Sequence, residues 1–143
     1  MRITKRPEIR KREIIDAAKD LFESKGIKKT SISEIANRIG VAKGLVYYYF
    51  SSKEELVEAV IEDFIEGVNE GIKDIMDNKN LDFYLKLNAI LNLYFNSIQS
   101  HPAISSYSPG NPGIFTLIKD RLSNTALYYA KDLMVLGIEQ GLI

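Results

Sequence analysis

The sequence predicts an all-α protein. Three observations carry this: apolar residues recur at helical spacing in nearly every segment, Ser-x-x-Glu capping boxes open two segments, and glycine or proline punctuates the gaps. One stretch reads differently. Ala42-Lys43-Gly44-Leu45-Val46-Tyr47-Tyr48-Tyr49-Phe50 is rich in residues that favour strands. A lone strand among helices would have no pairing partner, so this stretch is read as a short helix.

In the first segment, Ile14, Ile15, Ala18, Leu21 and Phe22 share one helical face, and Gly26 ends it. In the second, Ile32, Ile35, Ala36 and Ile39 repeat the pattern between a Ser31–Glu34 capping box and Gly40. The aromatic stretch forms the third. A second capping box, Ser52 to Glu55, opens a long fourth helix that reaches about Asn78, with its stripe through Leu56, Val60, Phe64, Val68, Ile72 and Ile75. Gly67 and Gly71 each cost about 1 kcal/mol there and are read first as tolerated weak points, with a bend or close packing of the helix as the alternative. A fifth helix begins near Asn80 and is apolar all round, which predicts that it is largely buried; His101-Pro102 stops it. Residues 103–113 read as loop, with room for one helical turn at 103–107. A last helix runs from about Ile114 to Glu139, with Ser123-Asn124 as the place where it could break.

Composition removes several functions. With no cysteine and a single histidine among 143 residues, there is no disulfide scaffold, thiol chemistry, iron–sulfur cluster or His-rich metal site. A content of 45% hydrophobic and 27% charged residues is that of an ordinary globular chain. No Ser/His/Asp set, paired-carboxylate site, P-loop or dinucleotide fingerprint occurs, so no enzyme activity, cofactor or metal is expected. The N-terminus lacks the apolar core of a secretory signal, and no apolar run approaches the ~18 residues of a membrane span. The expectation is a soluble, cytoplasmic protein with no membrane partner. The net charge of zero conceals an asymmetry. Residues 1–53 hold 13 basic and 6 acidic side chains, an excess of seven positive charges, and residues 54–143 hold 6 and 13. A basic half suggests a polyanionic partner, and clustering of solvated charges is the plain alternative.

The second and third helices, joined by a tight glycine turn, form a helix-turn-helix. In such a motif the second helix enters the major groove of double-stranded DNA while the first lies across the backbone. Lys43 is a cation for phosphate or a guanine edge, and Tyr47, Tyr48 and Tyr49 offer hydroxyls and rings. Gly44 allows close approach of the groove wall. Lys53 at the start of the fourth helix, and Thr30 and Ser31 at the start of the second, suit phosphates. Three consecutive residues on a helix cannot all face inward, so at least one tyrosine must be exposed.

Thr30-Ser31-Ile32-Ser33-Glu34-Ile35-Ala36, Gly40-Val41-Ala42-Lys43-Gly44, Tyr47, Tyr49-Phe50, Lys53 and Leu56 together resemble the TetR (tetracycline-repressor-like) family of transcriptional regulators. The resemblance covers about residues 9–60 and joins the helix-turn-helix to both flanking helices. It implies a three-helix DNA-binding head, residues 1–52, joined by the long helix to a helical effector-binding and dimerising body, residues 53–143. It also implies that Thr30, Ser31, Lys43, Gly44, Tyr47, Tyr48, Tyr49 and Lys53 occupy positions that touch DNA, with Phe50 in the core of the head. One departure stands out: Ala42 occupies a position where the family often has a Ser that caps the third helix, which weakens that contact by about 1 kcal/mol.

The body carries many aromatic side chains, each more readily explained as core than as ligand contact. By the family's pattern some line an effector pocket, with Phe64, Tyr84, Leu87, Leu91, Tyr94, Phe95, Tyr107, Phe115, Ile118 and Leu122 as candidates and a small apolar or aromatic molecule as the effector. His101 is read as a helix-terminal residue, not a ligand. The basic tail, Arg2, Lys5, Arg6, Arg10, Lys11 and Arg12, either follows DNA or is a solubilising arm. The resulting expectation is a repressor that binds palindromic operator DNA as a homodimer and is released by its effector. The alternative from another class is a helical interaction protein whose basic head binds a partner or anionic surface without reading sequence. Family members pair through two further C-terminal helices. The sequence stops about where these would begin, so an incomplete body with Leu127, Met134 and Ile138 uncovered is expected.

Overall fold

The computed structural model describes residues 5–101 and 112–143, apart from the side chains at positions 98, 112–115 and 117. Six helices, and no strand among the described residues, follow in order: α1 (Pro7–Lys25), α2 (Ile32–Arg38), α3 (Lys43–Tyr49), α4 (Lys53–Asp77), α5 (Phe83–Ser100) and α6 (Pro112–Glu139). They form two compact units, Met1–Glu62 and Asp63–Ile143. No helix among the described residues is long and apolar enough to cross a membrane.

The first unit is built around the stripes that the periodicity marks. Ile14, Ala18 and Phe22 of α1, Ile35 and Ala36 of α2, Val46 of α3 and Leu56, Val57, Val60 and Ile61 of α4 are buried. Pro7 opens α1 at a position where its missing N–H removes no hydrogen bond. Ser31 caps α2: its hydroxyl oxygen accepts the Glu34 N–H at 3.1 Å. Gly40 then turns the chain at φ +70°, a conformation that costs glycine little, and the Val41 N–H reaches back to the Ala36 carbonyl at 3.0 Å. Ser52 caps α4 in the same way, accepting the Glu55 N–H at 3.1 Å.

These caps carry a pH dependence. The Glu34 carboxyl lies below its ordinary value of 4.5, chiefly through the hydrogen bond from Lys25, and Glu55 chiefly through that from the Ser51 hydroxyl. The unfolded chain returns both to the ordinary value and so binds more protons than the folded one in acid. Their contribution is therefore present above about pH 4.5 and is lost as the pH falls through the folded values. Urea midpoints followed by helical circular dichroism should fall as the pH drops below about 4.5, and less steeply in Glu55→Gln. An identical slope in that variant would remove Glu55 from the account.

In the second unit Ile65, Val68, Ile72, Phe83 and Leu133 are buried. The α5 helix starts at Phe83 rather than near Asn80, because the Asp82 carboxylate accepts the Leu85 N–H at 2.9 Å and sets the first turn. The Lys86 ammonium donates to the Met76 carbonyl near the end of α4. The expectation for Gly71 needs correction. A Cβ there would lie 2.8 Å from Leu93 Cδ2, so the end of the Leu93 side chain on α5 packs against the bare backbone of α4 at this glycine. Gly67, with open space around it, fits the weaker reading.

A second correction concerns α5, which is not largely buried. Tyr84, Leu85 and Phe95 are more than half exposed, because none of the described residues covers that side of the helix. The last helix is continuous through Ser123-Asn124, and Leu127, Met134 and Ile138 on it are exposed. The loop expected at 103–113, with its helical turn at 103–107, lies outside the described residues as far as 111, and Pro112 and Gly113 already belong to α6.

Candidate nucleic-acid interface

The head presents α3 on its surface by burying one residue of it. Val46 is fully buried and anchors the helix, and the Phe50 N–H closes it on the Val46 carbonyl at 2.9 Å. The opposite faces are thereby left outside. Tyr48 is 79% exposed and Tyr47 41%, and Tyr49 is intermediate, its ring meeting that of Tyr48 edge-on with centroids 5.0 Å apart. Lys43 is exposed, with its ammonium 5.8 Å from the centre of the Tyr47 ring. A cation over an aromatic face is held loosely and remains available to a phosphate or base edge. Phe50 is buried as expected, and Ala42 starts α3 with no side-chain cap.

Gly44 belongs to the exposed surface, and nothing lies within 4 Å of where a Cβ would sit. Its backbone has no positive φ. The fold therefore does not require glycine here, although glycine costs a helix about 1 kcal/mol relative to alanine. Gly44→Ala should raise the thermal midpoint slightly and lower DNA affinity, since the added methyl meets whatever the helix is pressed against. A variant that gained stability and kept its DNA affinity would show that α3 makes no close backbone approach.

The other candidates divide. Ser31 is exposed at the start of α2, and Lys53 is half-buried at the start of α4. Thr30 turns the other way: at 2% exposure, its hydroxyl donates to the Gly26 carbonyl at 2.8 Å, with the Leu21 carbonyl at 3.3 Å. Its side chain therefore holds the α1–α2 turn together and is not presented to a phosphate. Lys28 and Lys29, not among the sequence candidates, are exposed in that same turn just before Ser31. The charge run immediately preceding a capping box was the signal for them. In the basic tail, Lys5 and Arg10 pair with Glu13, and Arg12 with Asp16 at 3.4 Å, so part of that charge is met by carboxylates of α1. Arg2 lies outside the described residues.

The effector candidates in the second unit are brought together only in part. The Tyr94 hydroxyl donates to the Leu122 carbonyl at 3.2 Å, and burial pushes its phenol up from 10.0. Phe64 stacks edge-on against His101, with centroids 4.8 Å apart. Leu87 and Ile118 are half-buried, while Tyr84, Leu91 and Phe95 are exposed. Tyr107 and the Phe115 side chain lie outside the described residues. A cleft of about 270 Å³ in this unit is lined by five other residues, Asn69, Asn124, Thr125, Tyr128 and Tyr129. Among the described residues, no group of three or more His, Cys, Asp or Glu side chains could hold a metal.

Comparison with known proteins bears on this head. The profile of bacterial regulatory proteins of the tetR family matches residues 14–60, from α1 into α4. The transcriptional repressor KstR2 of Rhodococcus jostii is 29% identical over 99 residues, which are 68% of this chain and 48% of that protein. The chain thus spans about half the length of this relative. Among solved structures, a TetR/AcrR-family transcriptional regulator of Thermobifida fusca matches with a TM-score of 0.74 at 26% identity, over 94% of this chain and 73% of that one. The ketosteroid transcriptional regulator KstR2 of Mycobacterium tuberculosis matches with a TM-score of 0.65 at 25% identity, over 98% of this chain and 74% of that one. Residues 14–60 thus match the DNA-binding region of the tetR family, a helix-turn-helix with both its flanking helices, and the chain shares the all-α fold of TetR/AcrR-family transcriptional regulators.

Proposed function

We propose that the chain is a ligand-responsive transcriptional repressor of the cytoplasm. As a homodimer it binds palindromic double-stranded operator DNA and lets go when a small apolar or aromatic effector enters the second unit. One observation carries this reading: α3 spends Val46 on the core and leaves Lys43, Tyr47 and Tyr48 exposed around a glycine that the fold itself does not need. Exposed aromatic side chains next to a lysine suit a groove lined by phosphates and thymine methyls.

Ser31, Lys43, Gly44, Tyr47, Tyr48, Tyr49 and Lys53 form the DNA surface in this reading, with Thr30 holding the turn behind it. Phe64, Leu87, Tyr94, Ile118 and Leu122, with Tyr107 and Phe115, belong to the effector region. The ketosteroid regulator among the similar structures supports an apolar effector. The exposed apolar side chains Leu127, Met134 and Ile138 on α6 support self-association, because uncovered apolar patches mark interaction surfaces.

Selection of bound sequences from random DNA tests the reading. The expected outcome is a palindrome whose half-sites lie about 34–36 Å apart, one recognition helix to each. Binding that depends on salt alone and selects no sequence would overturn it.

A further inference from the structure

Asn69 lies on α4 between two buried apolar residues, Val68 and Ile72, and its side-chain oxygen is buried with no hydrogen-bond partner. Buried acceptors are seldom left so without a reason. The same residue lines the cleft of about 270 Å³, together with Asn124, Thr125, Tyr128 and Tyr129. Two hydroxyls there have already committed their protons. Thr125 donates to the Arg121 carbonyl at 3.0 Å, and Tyr129 makes a long bond of 3.5 Å to the main-chain carbonyl of Asn69. Each keeps lone pairs to offer, and these add to the acceptor that Asn69 presents.

Its lining carries no charged side chain. No lysine, arginine or histidine lines it, and Lys73 and Lys131 on the same two helices are exposed and not part of the lining. The charges that act on Tyr129 come from Asp77, Asp132 and Glu66; after burial and the neighbouring Tyr128, they help to hold its phenol above the ordinary 10.0. The rings of Tyr128 and Tyr129 meet edge-on at 89° with centroids 5.0 Å apart, which forms an aromatic corner. Aromatic faces attract cations, and an anionic ligand would find no basic side chain in the lining to pair with.

We propose that this cleft binds a small aromatic amine in its protonated form, its N–H groups donating to Asn69 Oδ1 and its body lying against Tyr128 and Tyr129. The inference rests on the effector reading above, moves the contact to residues outside the sequence candidates, and narrows the effector from an apolar molecule to an apolar cation. The volume lies at the low end for ligand pockets, ~300–1,000 Å³, which fits one or two rings.

Three probes of one shape test it: 1-naphthylmethylamine, 1-naphthylmethanol and 1-naphthoate, titrated calorimetrically into the full chain. The amine should bind about tenfold or more tightly than the alcohol, and the carboxylate more weakly than either, as a charge-assisted bond to Asn69 requires. Asn69→Leu should weaken the amine about tenfold, whereas Asn69→Asp should tighten it and leave the alcohol unchanged. Should Asn69→Leu fail to fold, Asn69→Asp and Tyr128→Ala carry the test, the latter also weakening the amine. Naphthoate binding as tightly as the amine, amine binding indifferent to all these changes, or no binding of any probe overturns the proposal. Release of operator DNA is measured in parallel. Amine binding without release supports this site and sinks the effector reading. Release by naphthoate or the alcohol with no preference for the amine does the reverse.

Discussion

Phe22→Ala should destabilise the head by about 3–5 kcal/mol, the range for emptying a buried phenylalanine site. Phe22 is 1% exposed and is the largest of the fully buried side chains. Its position in the last turns of α1 lets it close the core to which Ile14, Ile35, Val46 and Leu56, all fully buried, also contribute. A truncation there loses the transfer free energy of the ring and leaves a void that short helices collapse into poorly. Since domains of this kind are stable by only about 5–15 kcal/mol, the loss should be visible as a large fall in the urea midpoint and as loss of DNA binding near physiological temperature. Tyr48→Ala is the matched control, because a side chain 79% exposed contributes little to the core. Its midpoint should stay within about 0.5 kcal/mol of the parent. Equal destabilisation by the two changes would mean that the head's core is not where the burial places it.

What the sequence disclosed, and what it withheld, follows from how local each signal is. The helix-turn-helix was legible because its determinants sit within a few residues of one another: Ser31 and Glu34 as a cap, and Gly40, at φ +70°, as the turn. Periodicity reports that a face is apolar but not that anything covers it, which is why α5 reads as buried while Tyr84 and Phe95 stand exposed. Glycines differ by what lies across from them, and only a partner helix could show that Gly71 faces Leu93 while Gly67 faces open space. Thr30 misled for a related reason. A hydroxyl just before a helix reads as a phosphate contact, and its actual acceptors, the carbonyls of Leu21 and Gly26, belong to the preceding element. The cleft around Asn69 brings together residues more than fifty positions apart, and no motif of that span can be read without the fold.

Lys43→Ala and Tyr47→Ala should each reduce operator affinity by about 10- to 100-fold, the range of roughly 1–3 kcal/mol for one good base or edge contact. Neither should move the urea midpoint appreciably, because both side chains are exposed and lie outside the buried core. The two are not independent. With the Lys43 ammonium 5.8 Å from the Tyr47 ring, each holds the other's orientation in the free head, and an exposed pair of this kind is worth about 0.5–1 kcal/mol. Removing either partner releases the other, so the double variant should lose less than the sum of the single losses. Lys53→Ala provides the contrast. Placed at the start of α4, it should weaken binding to all sequences about equally and lower the salt slope by about 1, the signature of a phosphate contact. Gel-shift titrations of the three variants, on selected and scrambled DNA at several salt concentrations, separate these outcomes. If Lys43→Ala and Tyr47→Ala bound the selected site as tightly as the parent, α3 would not be the element in the groove, and the exposed tyrosines would need another partner.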